Sequence, residues 1–157
     1  MADATEITIT YTRSEIIDSA QTKSLIIAGA LPVENPNDYA ITGNDNALIK
    51  QFINTVLMGK INTTLSGYTQ DQDTPITVGD TITIVLDAPE KADANLGNIL
   101  GAIIGEAIEN YILSEYFKLK SLFDQARGYY ELFQNNIKDI ERNLHRRYGL
   151  TYQLRQY

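Results

Sequence analysis

At 157 residues, with 43% hydrophobic and 21% charged side chains, the chain has the size and composition of one globular domain with a core of its own. It has no cysteine, which removes disulfides, thiolate nucleophiles and thiolate metal sites together, and its single histidine leaves no histidine pair for catalysis or metal binding. The net charge of −7 joins two unlike parts: residues 1–117 carry 5 basic and 16 acidic side chains, and residues 118–157 carry 8 basic and 4 acidic ones.

No basic stretch leads into an apolar one at the start, so a cytoplasmic origin is expected, and no apolar run approaches the ~18 residues of a membrane span. The opposed charges suit an encounter between copies, or with neighbouring proteins, acidic surface to basic tail; the alternative is a solvated helix that is simply arginine-rich.

In residues 5–11, Ile7, Ile9 and Tyr11 alternate with Glu6, Thr8 and Thr10, the period of a half-buried strand. Thr12 and Glu15 then have the spacing of a capping box, which predicts a helix to about Ala28 with Ile16, Ile17, Ala20, Ser24 and Ile27 inward. Gly29 and Pro32 end it. Residues 35–38 and 43–46 are rich in Asn, Asp, Gly and Pro and predict turns, the second doubling as an N-cap. Neither these oxygens nor Asp71 and Asp73 fit a calcium-loop pattern. Residues 47–65 predict an amphipathic helix with Leu48, Phe52, Ile53, Val56, Leu57, Ile61 and Leu65 on one face, closed by Gly67. Residues 75–78 and 81–86 flank Gly79 and Asp80 as the arms of a hairpin, with Ile82, Ile84 and Leu86 facing one way. The strand over 5–11 is the natural partner of the second arm.

The C-terminal third, residues 93–148, predicts two long helices or one bent one, entered at Ala88, Pro89 and Glu90. A polar break at Lys118 and Lys120 permits a bend, and Ser121 could cap the second half. The first half spaces Gly97, Gly101 and Gly105 by four, and helix-interior glycines cost ~1 kcal/mol each relative to alanine. Close approach of another element compensates for that. The simplest partner is the helix over 47–65, and an intersubunit contact is the alternative. The second half steps Ala126, Tyr130, Phe133, Ile137, Ile140 and Leu144 along one face as a heptad seam, best explained by antiparallel packing on the preceding helix. Beyond Gly149, residues 150–157 alternate like an extended arm, with Leu150, Tyr152 and Leu154 on one side and Arg155 and Tyr157 near the end.

No phosphate-binding loop, dinucleotide fingerprint, nucleophile elbow or zinc-protease motif occurs. Glu106 and Glu109 read as a solvated helix face, and His145 beside Arg146 and Arg147 reads as compensation of a helix dipole. No catalytic residue, cofactor or metal is therefore expected, and the chain is expected not to be an enzyme. Arg142, Arg146, Arg147 and Arg155 interleaved with Tyr148, Tyr152 and Tyr157 could grip phosphates and stack bases, but an overall pI near 4.6 argues against nucleic acid as the main partner.

The expected architecture is α+β, mostly α: a bundle of about four helices with a small antiparallel β element over residues 1–149, and an extended arm over 150–157. This order of elements, carried by residues 6–11, 81–87 and 140–148, resembles small structural proteins of tailed phages and prophages of gut Bacteroidales. More loosely, it resembles the head–tail connector, or neck, proteins of tailed phages. The resemblance implies a non-enzymatic virion component, made in the host cytoplasm, that forms a ring between portal and tail through contacts with its own copies and with other virion proteins. It carries over no functional residue. The residues expected from the sequence itself to serve assembly or packing are Gly97, Gly101 and Gly105, the basic Arg146 and Arg147, and Leu150, Tyr152, Leu154, Arg155 and Tyr157 of the arm. The arm is expected to add to a neighbour's sheet edge, with folding back on its own helices as the alternative.

Overall fold

The computed structural model describes residues 5–68, 75–88 and 95–147. Strand β1 (Thr5–Thr12) runs straight into helix α1 (Arg13–Gly29). Helix α2 starts at Asn46 and continues through a π turn at Leu57–Ile61 to Leu65. Strands β2 (Ile76–Thr77) and β3 (Thr81–Ala88) follow, then helices α3 (Leu96–Leu119) and α4 (Phe123–Arg147). The described chain is therefore mostly helical, with one small antiparallel sheet in the order β1-β3-β2, as the sequence pattern predicts.

Alternation sets the sheet's two faces. The register pairs Ile7 with Leu86, Ile9 with Ile84 and Tyr11 with Ile82, so all six point to the helices. Ile82, Ile84 and Leu86 are fully buried, each contributing ~1.5–3 kcal/mol of transfer free energy. Glu6, Thr8, Thr10, Thr12 and Thr81 are exposed on the other face.

The expected capping box at the start of α1 does not form: Thr12 makes no side-chain cap bond. The ladder continues past it instead, since the Arg13 N–H donates to the Asp80 carbonyl at 2.9 Å and the Arg13 Nε to the Gly79 carbonyl at 2.8 Å. A reciprocal carboxylate contact appears at the next entry, where the Thr42 N–H donates to Asp45 Oδ2 at 2.9 Å. On α1, Ala28 rather than Ile27 completes the buried face.

In α2 the fully buried residues are Ile49, Ile53, Leu57, Ile61 and Leu65, a run in strict fours. The predicted stripe omitted Ile49 and included Leu48 and Phe52, which are half-buried. A period of four drifts steadily around an α-helix of ~3.6 residues per turn. The wider π turn absorbs that drift and keeps the five on one side.

The segment between α1 and α2 is pinned from two sides. Buried Ser24 Oγ accepts the Ile41 N–H at 2.8 Å and donates to the Gln21 carbonyl, while the Tyr116 hydroxyl donates to the Ala40 carbonyl at 2.8 Å. Tyr116 and Phe117 are buried in the core.

Candidate interaction surface

The glycines of α3 receive β1, not α2. A Cβ added at Gly97 would stand 3.2 Å from Ile7 Cγ2, at Gly101 3.5 Å from Ile9 Cγ2, and at Gly105 3.2 Å from Tyr11 Cε1. Three glycines in steps of four thus face three strand residues in steps of two, with β1 and α3 running in the same direction. The correction has a simple origin. A strand's side chains stand out from a flat backbone and fit into a groove from which Cβ atoms are missing, whereas a second helix would bring its own ridge. The Tyr11 hydroxyl closes the contact by donating to the Gly101 carbonyl. Burial pushes this phenol well above its ordinary pKa, with a smaller opposing effect from the Gly105 backbone.

Beside that contact lies an open groove of about 490 Å³. One wall is Thr10, Tyr11 and Thr12 of β1; the others include Ala102 and Glu106 of α3 and Glu15 of α1. Among the described residues no strand pairs with this side of β1. The ladder bond from Arg13 to Asp80 fixes which backbone groups are turned outward. Arg13–Asp80 is a hydrogen-bonded pair, so in the same register the odd-numbered residues of β1 bond to β3. The N–H and C=O groups of Glu6, Thr8, Thr10 and Thr12 therefore face away from β3.

Charge in the groove is negative. Glu109 is taken by Lys23 of α1, an ion pair that ties α3 to α1 and corrects the expectation that Glu109 belongs to a solvated face. Glu106 is exposed, and neither it nor Glu15 has an ion-pair partner among the described residues.

On its other side α3 packs against α4, as the heptad seam predicts. Tyr111 meets Phe133 with ring centroids 5.4 Å apart, Phe117 meets Tyr129 at 5.9 Å, and the Asn110 side-chain amide donates to Asn136 Oδ1 at 2.7 Å in the buried interface. Residue numbers rise on one helix as they fall on the other, so the hairpin is antiparallel. Of the seam, Ala126, Phe133, Ile137, Ile140 and Leu144 are buried, whereas Tyr130 is 45% exposed. Ser121 does not cap α4. With φ of 61° it closes α3: its N–H donates to the Lys118 carbonyl and the Leu122 N–H to the Phe117 carbonyl at 2.9 Å. The expected bend is thus a full reversal, with exposed Leu119 and Phe123 on either side of it.

The antiparallel register brings the end of α4 beside the first turn of α3, where Gly97 meets Ile7. Arg142 pairs with Asp139 at 3.3 Å, and His145 and Arg146 are exposed. Arg147 ends the helix, and Leu150, Tyr152, Leu154, Arg155 and Tyr157 lie outside the described residues. The structure thus gathers the three glycines on β1 and sets Arg146 at the neighbouring helix end. What sequence reasoning missed was the free edge of β1: its eight residues carry no lysine, glycine or proline, but only the sheet order makes the strand an edge.

Among the described residues, no group of three or more histidine, cysteine, aspartate or glutamate side chains is placed to hold a metal ion, and no helix is long and apolar enough to cross a membrane. Tyr116 has its phenol pushed up to about 12 by burial and by the nearby Asp45 carboxylate. It is a core residue bonded to the Ala40 carbonyl. Comparison with protein-family models, with curated proteins and with solved structures finds no match.

Proposed function

We propose that this chain is a non-enzymatic structural protein of a tailed-phage virion, a connector or neck component that assembles as a ring between portal and tail. The observation that carries the reading is the free edge of β1. Glu6, Thr8, Thr10 and Thr12 of the strand turn backbone donors and acceptors outward, the last two beside an acidic groove, with none of the lysines, prolines or bulges that proteins use to blunt an edge. Such an edge favours strand addition, a way of binding in which main-chain bonds supply affinity and alternate side chains supply specificity. The polarity of the chain, acidic over 1–117 and basic over 118–157, supports contacts between unlike ends of successive copies.

Two measurements test this. Sedimentation of the purified chain should show concentration-dependent association into a closed oligomer, visible as rings in negative stain. Labelled antibody should mark the portal–tail junction of the particle. A chain that stays monomeric and is retained on DNA, with retention falling steeply as salt rises, would overturn the proposal in favour of a nucleic-acid-binding accessory role.

A further inference from the structure

We infer that the free edge of β1, with the groove beside Thr10 and Thr12 at its end, is a docking site for residues 150–157 of a second copy of this chain, which add there as a fourth strand. The inference rests on the assembly reading above and names the surface through which copies meet.

Four observations converge on that occupant. The first is main-chain complementarity: Glu6, Thr8, Thr10 and Thr12 turn their N–H and C=O groups outward at every second residue, the spacing an incoming strand requires. The second is length. Residues 150–157 span ~26 Å when extended, enough to match the reach of the eight-residue β1. The third is pattern and space. Leu150, Tyr152 and Leu154 alternate with Thr151, Gln153 and Arg155. One row can settle against Ala102 of α3, beside the glycines that Ile9 and Tyr11 already cover, and the other turns to water. The fourth is charge: Glu15 and Glu106 line the groove without ion-pair partners among the described residues, and the incoming segment brings Arg155 behind Arg146 and Arg147.

Direction decides between a second copy and the chain's own segment. By its register on α3, helix α4 ends level with Gly97 and so with the start of β1, but across α3 from the strand. Residues of the same copy that reached this edge would run parallel to β1, since α4 runs antiparallel to α3 and β1 runs with α3. Among the described residues the sheet is antiparallel throughout, and parallel pairing is slightly weaker per residue. A second copy enters from outside in the antiparallel sense. Each copy then offers one groove and one segment at separate places, a heterologous contact that closes into a ring when the rotation between copies allows it.

The absence of cysteine makes the test clean. Full-length chain carrying Thr10→Cys is mixed with full-length chain carrying Leu154→Cys and treated with a short bis-maleimide. A cross-link between the two species is expected, weakening as salt rises. Adding Thr8→Pro to the first species removes an outward N–H without touching the ladder to β3, and should lower the yield by roughly tenfold. Should that proline disturb folding, Glu15→Lys with Glu106→Lys replaces it and should lower the yield comparably. A cross-link found only within a chain carrying both cysteines would overturn the inference in favour of self-docking. No cross-link from a chain that still associates in sedimentation would overturn it while leaving the assembly reading standing. A cross-link that persists in a protein not found at the portal–tail junction would uphold the docking site and overturn the virion role.

Discussion

Helix α3 is gripped on two sides by opposite means. Toward β1 it has discarded its side chains, and the strand's Ile7, Ile9 and Tyr11 rest on bare backbone at Gly97, Gly101 and Gly105. Toward α4 it presents large residues, Tyr111 and Phe117, that interlock with Phe133 and Tyr129, with one buried amide pair between Asn110 and Asn136. The first contact is set by how closely two backbones approach. The second is set by volume and by one polar pair that holds the register. Deleting atoms should therefore damage the α4 side, and adding atoms should damage the β1 side.

The largest effect is expected from Phe117→Ala, which empties a fully buried site beside Tyr129. A loss of ~3–5 kcal/mol is expected, read from the midpoint of urea unfolding. A loss below 1 kcal/mol would show that the hairpin collapses around the cavity. On the opposite face, Gly101→Leu should cost ~1–3 kcal/mol by overpacking against Ile9 and Tyr11, despite leucine's better helix propensity. Unchanged stability there would mean that β1 yields.

The amide pair separates volume from register. Asn110→Leu alone leaves the Asn136 oxygen buried without its donor and should cost ~1–3 kcal/mol. Adding Asn136→Leu should restore most of that, while amide hydrogen exchange in α4 becomes faster as the register loosens. If the double variant is as destabilised as the single one, the pair does more than fix register.

Alkali probes the same helix through Tyr116. Its native pKa of about 12 stands above the unfolded value of ~10, so below pH ~10 its contribution is fully present. As pH rises from ~10 toward 12 the unfolded chain gives up the proton first, and stability falls. Urea midpoints across that interval should drop less steeply in Tyr116→Phe than in the parent.

The smallest effects are the sharpest test of the β1 side. A methyl at Gly101 meets Ile9 at an ordinary 3.5 Å, so Gly101→Ala should gain up to ~1 kcal/mol from helix propensity. At Gly105 the gap is 3.2 Å to a ring held by its own hydrogen bond, so Gly105→Ala should show no such gain. Equal gains at both sites would mean that Tyr11 moves freely.

Most of this architecture was legible in the residues, because the periods are clean. Ile7, Ile9 and Tyr11 gave a strand, Ile82, Ile84 and Leu86 its partner, and the seam from Ala126 to Leu144 an antiparallel neighbour. What misled was local pattern under tertiary control. Thr12 and Glu15 have capping-box spacing, yet the Arg13 N–H belongs to the sheet ladder. Ser121 looks like the start of α4, yet its positive φ ends α3. The glycine spacing signals close approach without saying what approaches, since a helix and a strand both match a step near 6 Å. Of the candidate assembly or packing residues, the glycines pack within the chain, against β1 rather than the helix over 47–65. The free edge of β1 became visible only once the sheet order was known, because pairing partners at long range have no local signature.

The fit between β1 and α3 works as a vernier. Four helical residues advance ~6.0 Å and two strand residues ~6.6–6.8 Å, so each rung slips by ~0.7 Å. Over the two steps from Gly97 to Gly105 the slip reaches roughly one carbon–carbon bond length, which atomic contact can still absorb. A further rung would carry the mismatch beyond what a glycine can hide. At the next position the chain abandons the scale: residue 109 is a glutamate, β1 has given way to α1, and Lys23 supplies an ion pair whose long arms tolerate misalignment. The ladder has three rungs because two incommensurate rulers stay in step no longer.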